Sequence, residues 1–273
     1  MNHIQADMSD EALVTAIRNN MCDFFRHVSR SDLQEHFESQ QFTRWHSPLP
    51  HPWFNGVLSS RAYEEGDDAF IEATIQYFRE KGILSFTWWM EPHVSPPAWE
   101  QIQSRHGFRY SNDTPGMAID LNDLNDSPRL LEGFEIRVVN DEETLHAWVK
   151  TFIHGYGLPS HWESLTFDLW VQLGLDLPIR NYLGYLNAEP VSTSTVFYGE
   201  DVAGIYCVST LHEARGKGIG AALTLQPLQE ARDLGYRVGV LQSSDMGFNV
   251  YKRLGFRHLC QIEYYYLSMQ SAI

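Results

Sequence analysis

Glu213-Ala-Arg-Gly-Lys-Gly-Ile-Gly-Ala-Ala-Leu-Thr224 is the stretch on which the reading of this chain turns. Its three glycines within five residues, Gly216, Gly218 and Gly220, permit tight turning and let a ligand come close to the backbone. An apolar run over 202–209 precedes it, and a helical pattern over 218–234 follows, broken only by Pro227. The stretch therefore reads as the turn between a strand and a helix. Successive N–H groups at a helix N-terminus favour an anion, with help from the helix dipole. Arg215 and Lys217 add positive charge to a chain with little of it. Together these features describe a cradle for phosphate or pyrophosphate.

Three phosphate motifs compete for the stretch. A Walker loop needs Gly-Lys followed by Ser or Thr, but Gly218 follows Lys217. Gly216, Gly218 and Ala221 formally meet the dinucleotide fingerprint, which belongs after the first strand of a parallel βαβ unit. Here the turn follows three strand patterns, over 182–186, 191–198 and 202–209, joined by the short turns Asn187-Ala-Glu-Pro and Gly199-Glu-Asp. Such spacing is that of an antiparallel meander. The third motif, R-x-x-G-x-G, is met by Arg215, Gly218 and Gly220.

The turn, the apolar strand before it, and Tyr251-Lys-Arg-Leu-Gly-Phe256 about thirty residues later resemble the GNAT-type N-acetyltransferases. The resemblance covers about residues 134–267. It implies an α/β (α+β) fold whose mixed, mostly antiparallel sheet is flanked by helices. That sheet splays between two strands, and acetyl-CoA sits in the wedge. It further implies backbone groups of Val208 and Ser209 along the pantetheine arm, and the N–H groups of Arg215, Gly216, Lys217, Gly218, Ile219, Gly220 and Ala221 on the pyrophosphate. Tyr251 falls on the tyrosine that protonates the departing thiolate. Ser244 stands where many members carry Asn, and it departs from the pattern there.

Working outward, the second half continues the α/β pattern. A strand is expected over 134–139, helices over 142–154 and 160–173, a strand over 236–242, a helix over 246–253, and strands near Phe256 and over 262–267. Pro227 inside the helix after the turn should kink it. The polar, acidic segment 126–133 reads as a linker. In the first half, helices are expected over 10–29, 68–81 and 97–105. Strands are expected over 54–60, 83–90, 107–110 and 117–121. The stretch Trp45-His-Ser-Pro-Leu-Pro-His-Pro-Trp53 reads as irregular. In both halves a helix ends in Gly (Gly82, Gly235), a strand follows, and a further helix ends in Gly-Phe (Gly107-Phe108, Gly255-Phe256). The offsets are 235 − 82 = 153 and 255 − 107 = 148, so the chain reads as two copies of one unit. The expected domains are 1–125, a degenerate copy, and 134–273, the catalytic one. Aligning the copies sets Ala62, Glu65 and Asp67 against Arg215, Gly218 and Gly220, and Gln103 against Tyr251. Carboxylates there repel a pyrophosphate, so only the second half is expected to bind CoA.

Composition narrows the partners. The chain has 273 residues, 43% hydrophobic and 13% aromatic, enough for substantial cores. Its 20 Lys and Arg against 35 Asp and Glu give a net charge of −15, which opposes broad binding to nucleic acid or anionic lipid. The three cysteines, Cys22, Cys207 and Cys260, are odd in number and far apart, the usage of a reducing compartment. Without an apolar leader or spanning segment, a cytoplasmic protein is expected. His46 and His51 have no Cys or carboxylate at metal-ligand spacing, so no metal is expected. Cys207 within an apolar strand reads as a small hydrophobe rather than an acyl carrier. Trp88 and Trp89 should point to opposite sides of a strand.

The expected activity is transfer of an acetyl group from acetyl-CoA to a primary amine of a small molecule. The alternatives are a CoA-binding regulator with decayed catalysis and a protein-directed acetyltransferase. A dinucleotide-dependent oxidoreductase is the rival from another class. Glu163, His154, His161 and Asp245 are the titratable candidates for a base. The amine, the base and the oligomeric state are not written in the sequence.

Overall fold

The computed structural model describes residues 7–39, 42–59, 66–90, 103–126, 131–199 and 201–269. In chain order its elements are α1 (Asp10–Val28), β1 (Glu35–Glu38), β2 (Phe42–His46), β3 (Gly56–Ser59), α2 (Asp68–Glu80), β4 (Ser85–Met90), β5 (Arg109–Asp120), β6 (Phe134–Val138), α3 (Glu142–Gly155), α4 (Glu163–Leu173), β7 (Ile179–Leu186), β8 (Glu189–Gly199), β9 (Val202–Thr210), α5 (Ile219–Asp233), β10 (Val238–Gln242), α6 (Asp245–Leu254) and β11 (Arg257–Ser268). They form two compact units that interleave in sequence. One comprises residues 1–24 and 115–260, the other 25–114 and 261–273.

The first unit is an antiparallel meander that turns into a parallel crossover. Strands β6, β7, β8 and β9 pair antiparallel in order. A two-residue turn joins β7 to β8, with Asn187 and Ala188 both at positive φ, as the twist of a tight hairpin requires. Helix α5 then carries the chain to β10, which pairs parallel with β9, and β5 closes the row antiparallel to β10. Leu223 and Leu228 of α5 and Tyr251 and Leu254 of α6 pack with Tyr182, Val196, Ile205 and Leu241 into one buried cluster. On β8, Ser194 reaches α5, whereas its neighbour Thr193 bonds Ser209, whose side chain abuts Gly155 of α3. Alternation along the strand thus puts α3 and α5 on opposite faces. Helix α3 starts from a capping box between Asp141 and Thr144. Its Trp148 is fully buried, stacks on Phe152 and donates to the Ser194 carbonyl at 3.3 Å.

Helix α5 runs through Pro227 without ending. A proline has no N–H for the carbonyl four residues earlier, here that of Leu223. The buried Ser194 hydroxyl donates to that carbonyl at 2.7 Å and replaces the missing helical bond. Sheet and helix are matched at this one point.

The second unit repeats the plan. Strands β1, β2 and β3 pair antiparallel, α2 crosses to β4, β4 pairs parallel with β3, and β11 lies antiparallel to β4. Its core joins Val57, Ile71, Phe78, Phe86, Trp88 and Phe108 with Tyr265 and Leu267. Trp88 is wholly buried and donates to the Ser59 hydroxyl, while Trp89 packs at a tilt against Tyr264. The two tryptophans are split across the strand as expected. Helices α2 and α5 both end on a left-handed glycine, Gly82 and Gly235, after which Ile83 and Tyr236 bond back into the last turn.

Several expectations are corrected. Strands β1 and β2 fall where no strand was read: β1 is exposed along its whole length, and β2 runs into the aromatic and proline-rich stretch 45–53. The segments 107–110 and 117–121 belong to one long strand, β5, and the last two segments likewise form one strand, β11. Helix α1 packs up to Phe24 with the second half of the chain. The compact units therefore do not follow the linear bounds 1–125 and 134–273. Within 126–133, residues 127–130 lie outside the described residues, and Asp126 is tied to Arg232 and Gln229. Most of 97–105, and both Ala62 and Glu65, lie outside them as well.

Candidate active site

Strand β9 outruns its partner. Its parallel pairing with β10 ends at Ile205, opposite Leu241, yet β9 continues to Thr210. On its other edge β8 stays paired throughout, with one register shift: Thr195 opposes Tyr206 and Thr193 opposes Ser209. Two steps on β8 therefore face three on β9, which is a β-bulge. Cys207 sits at the bulge with φ 53°, a left-handed conformation rare for a side chain of its kind. Downstream, Leu211 N–H bonds the Val191 carbonyl, so Leu211 and Ser209 turn their backbone groups toward β8. Val208 and Thr210 turn theirs to the side that β10 has left. The Val208 carbonyl there accepts from the Tyr156 hydroxyl at 3.2 Å, and the Thr210 carbonyl from Arg215 Nε at 3.0 Å. Ser209 offers little: its carbonyl accepts from Ser192 and its hydroxyl bonds Thr193.

The glycine-rich turn delivers the chain from this open edge to the start of α5. Gly216 and Gly218 both have positive φ, at 75° and 81°. Gly218 is the N-cap of α5 and brings no capping side chain. Ser, Asp or Asn at that position would occupy one of the first N–H groups, so a glycine leaves those of Ile219, Gly220 and Ala221 available. A Cβ built on Gly220 would meet only the Thr210 hydroxyl, at 3.9 Å, and the protein itself gives no steric reason for glycine there. Arg215 plays a different part from the one its charge suggests. Its guanidinium donates to Thr210 O and, at 2.9 Å, to Gly155 O, clamping the end of β9 to the C-terminus of α3. Lys217 is exposed on the turn and adds a cation there.

Tyr251 projects from α6 and is 9% exposed. Burial pushes its phenol up to about 12, so it holds its proton at any working pH. Gly247, one turn earlier, makes room for it, since a Cβ there would come within 2.7 Å of the ring. Ser244 is the N-cap of α6 and accepts from Gly247 N–H, which is a structural duty. Tyr156 follows α3 directly. It is 37% exposed, yet desolvation raises its phenol far above the ordinary value, the combination expected at the floor of a cleft. Desolvation is the main cause, and the neighbouring Cys207 and Tyr251 raise it further. Burial also pushes the Cys207 thiol up to about 12, too high for a nucleophile.

Among the base candidates, His154 Nε2 and Glu163 Oε1 lie 3.0 Å apart, His154 two residues before Tyr156. His161 faces Trp162, and Asp245 is exposed at the start of α6. Tyr156 and Thr193 were not singled out from the sequence. Tyr156 carried one signal, a lone aromatic between Gly155 and Gly157 just past a helix. Among the described residues, no cluster of His, Cys, Asp and Glu could hold a metal ion, and no helix is long and apolar enough to cross a membrane.

Residues 142–256, which hold the bulge, the glycine turn and Tyr251, match the model of the acetyltransferase (GNAT) family. No curated protein sequence matches the chain. Among solved structures, a GCN5-related N-acetyltransferase from Kribbella flavida superimposes with a TM-score of 0.70 at 16% identity, covering 93% of this chain and 95% of that one. Another from Sphaerobacter thermophilus gives 0.64 at 18%, covering 92% and 86%. A tandem GNAT protein from the clavulanic acid biosynthesis pathway gives 0.60 at 12%, covering 100% and 98%. At such identities the likeness is one of fold. Residues 142–256 thus match the GNAT acetyltransferase family model, and the chain has a GNAT-type fold.

Proposed function

We propose that this protein transfers the acetyl group of acetyl-CoA to a primary amine of a small molecule. The observation that carries the reading is the edge of β9 that β10 leaves open beyond Ile205, followed by a glycine-rich turn into an uncapped helix N-terminus. Acetyl-CoA fits both parts: an extended thioester arm suits an open strand edge, and a pyrophosphate suits the N–H groups of Gly216 to Ala221 with Lys217 beside them. Val208 N–H faces the open edge, where it can bond a thioester oxygen as negative charge develops on it.

The neutral amine attacks the thioester carbonyl, forming the C–N bond. As the tetrahedral oxyanion collapses, the C–S bond breaks and the thiolate takes the phenolic proton of Tyr251. The proton lost by the amine leaves through a base or water and restores the phenol. A general acid of this kind typically contributes about 10²–10⁴-fold. The second unit is read as silent toward CoA. Its β3 is paired with β4 along its whole described length, and the N-cap of its crossover helix is Asp67. Cap for cap, Asp67 matches Gly218 rather than Gly220, and a carboxylate there repels an anion.

Calorimetric titration with acetyl-CoA should give one site per chain. Gly220→Glu should abolish binding with the fold intact, because the added side chain enters open space and sets a negative charge against the N–H groups. Unchanged affinity would remove the cradle. Release of free thiol over a panel of small amines and lysine peptides then separates a small-molecule acceptor from a protein-borne one.

A further inference from the structure

The register shift leaves Cys207 without a partner residue opposite it on β8. A side chain takes the place of that partner: Thr193 Oγ1, on β8, donates to Cys207 O at 2.8 Å. Thr193 is fully buried, and its hydroxyl also lies 2.8 Å from Ser209 Oγ. A hydroxyl has one proton, and that of Thr193 goes to the carbonyl, so Ser209 donates to Thr193. The peptide between Cys207 and Val208 is planar and trans, so its N–H points opposite to its C=O. Fixing Cys207 O toward β8 therefore fixes Val208 N–H toward the open edge. Two further anchors hold the strand just before the bulge. The Tyr206 ring stacks on Phe24 at 3.8 Å, and its hydroxyl donates to the buried Asn20 at 2.8 Å. The left-handed conformation of Cys207 is sparsely populated and persists because its surroundings over-determine it.

We propose that Thr193 is a positioning residue for acetyl transfer: its hydroxyl holds the Cys207–Val208 peptide so that Val208 N–H is aimed at the thioester oxygen. This rests on the acetyl-CoA reading above. Thr193→Val keeps the shape and burial but removes the donor, and the freed peptide can rotate. Thr193→Ser keeps the donor.

The experiment uses the full chain and acetyl-CoA labelled at the carbonyl carbon, so the amine need not be known. Difference infrared spectra of bound acetyl-CoA report how strongly the carbonyl is polarised. The wild type should shift the band to lower frequency, Thr193→Ser should retain the shift, and Thr193→Val should return it toward the free value. Affinity for acetyl-CoA should change less than about threefold, and with any amine the panel yields, kcat should fall about tenfold or more, below the full loss of an oxyanion donor. A shifted band unchanged in Thr193→Val overturns the proposal and leaves the acetyl-CoA reading standing. If Thr193→Val does not fold, Thr193→Ala is read the same way. A wild type that binds acetyl-CoA without a shift removes Val208 as the donor and the proposal with it. Failure of the wild type to bind acetyl-CoA removes the functional reading itself.

Discussion

Tyr251 and Tyr156 are both phenols that keep their protons, and their surroundings give them different work. Tyr251 is nearly buried on α6, and Tyr156 is committed to the Val208 carbonyl. Burial penalises the phenolate, so the folded pKa of Tyr251 lies above its unfolded value near 10. Its stabilising share is present below about pH 10 and is lost as pH rises toward 12. Tyr251→Phe should lower kcat roughly 10²-fold while leaving acetyl-CoA affinity nearly unchanged. The shape of the pH–rate profile between about pH 6 and 10 should stay the same, since Tyr251 does not titrate there. A variant with wild-type kcat would assign the acid to another group. Tyr251 was legible in the sequence from the Leu-Gly-Phe after it. Tyr156 and Thr193 were not, because each acts on a backbone carbonyl of another element: Tyr156 on Val208, 52 residues on, and Thr193 on Cys207, which only the bulge in β9 turns toward it.

At the scale of the element, α5 shows how a flaw in a helix is absorbed by a sheet. The sequence flagged Pro227 as a kink, and the fold supplies Ser194 to the carbonyl it frees. Ser194→Ala should leave a buried carbonyl unpaired and cost about 1–3 kcal/mol. Pro227→Ala restores a helical N–H to Leu223 O, so the double variant Ser194→Ala/Pro227→Ala should lose markedly less than Ser194→Ala alone. Thermal unfolding of the four proteins gives the coupling, and additive losses would mean the hydroxyl and the proline are independent. The same scale explains the strands that were missed. β1 is exposed along its whole length and β2 runs into prolines, so neither shows the alternation of a half-buried strand.

For the whole molecule, the decisive fact is that each compact unit takes its last strand from the other half of the chain. β5 completes the unit that holds the glycine turn, and β11 completes the other. The first unit also includes α1, whose Leu13, Ile17, Asn20 and Met21 are buried. Residues 134–273 alone would lack both, and the mostly buried strand β10 would become a free edge. That fragment should be unfolded or aggregated, where the full chain unfolds cooperatively. Circular dichroism and size-exclusion chromatography decide it, and a soluble, cooperatively folded fragment would show the linear halves to be self-sufficient.

What the sequence determined by itself is what short spacing can encode. It located the glycine turn, the glycine-ended helices, the meander before the turn, the recurrence of the plan in both halves, and Tyr251. Each of these follows from local backbone geometry and from periodicity over a few residues. Only the tertiary structure decided which strands complete which unit, that Cys207 is a bulge, that Arg215 clamps a helix end, and that Thr193 and Tyr156 hold the backbone around Val208. Those outcomes depend on which distant carbonyls lose their ladder partners, and on which buried side chains stand close enough to replace them.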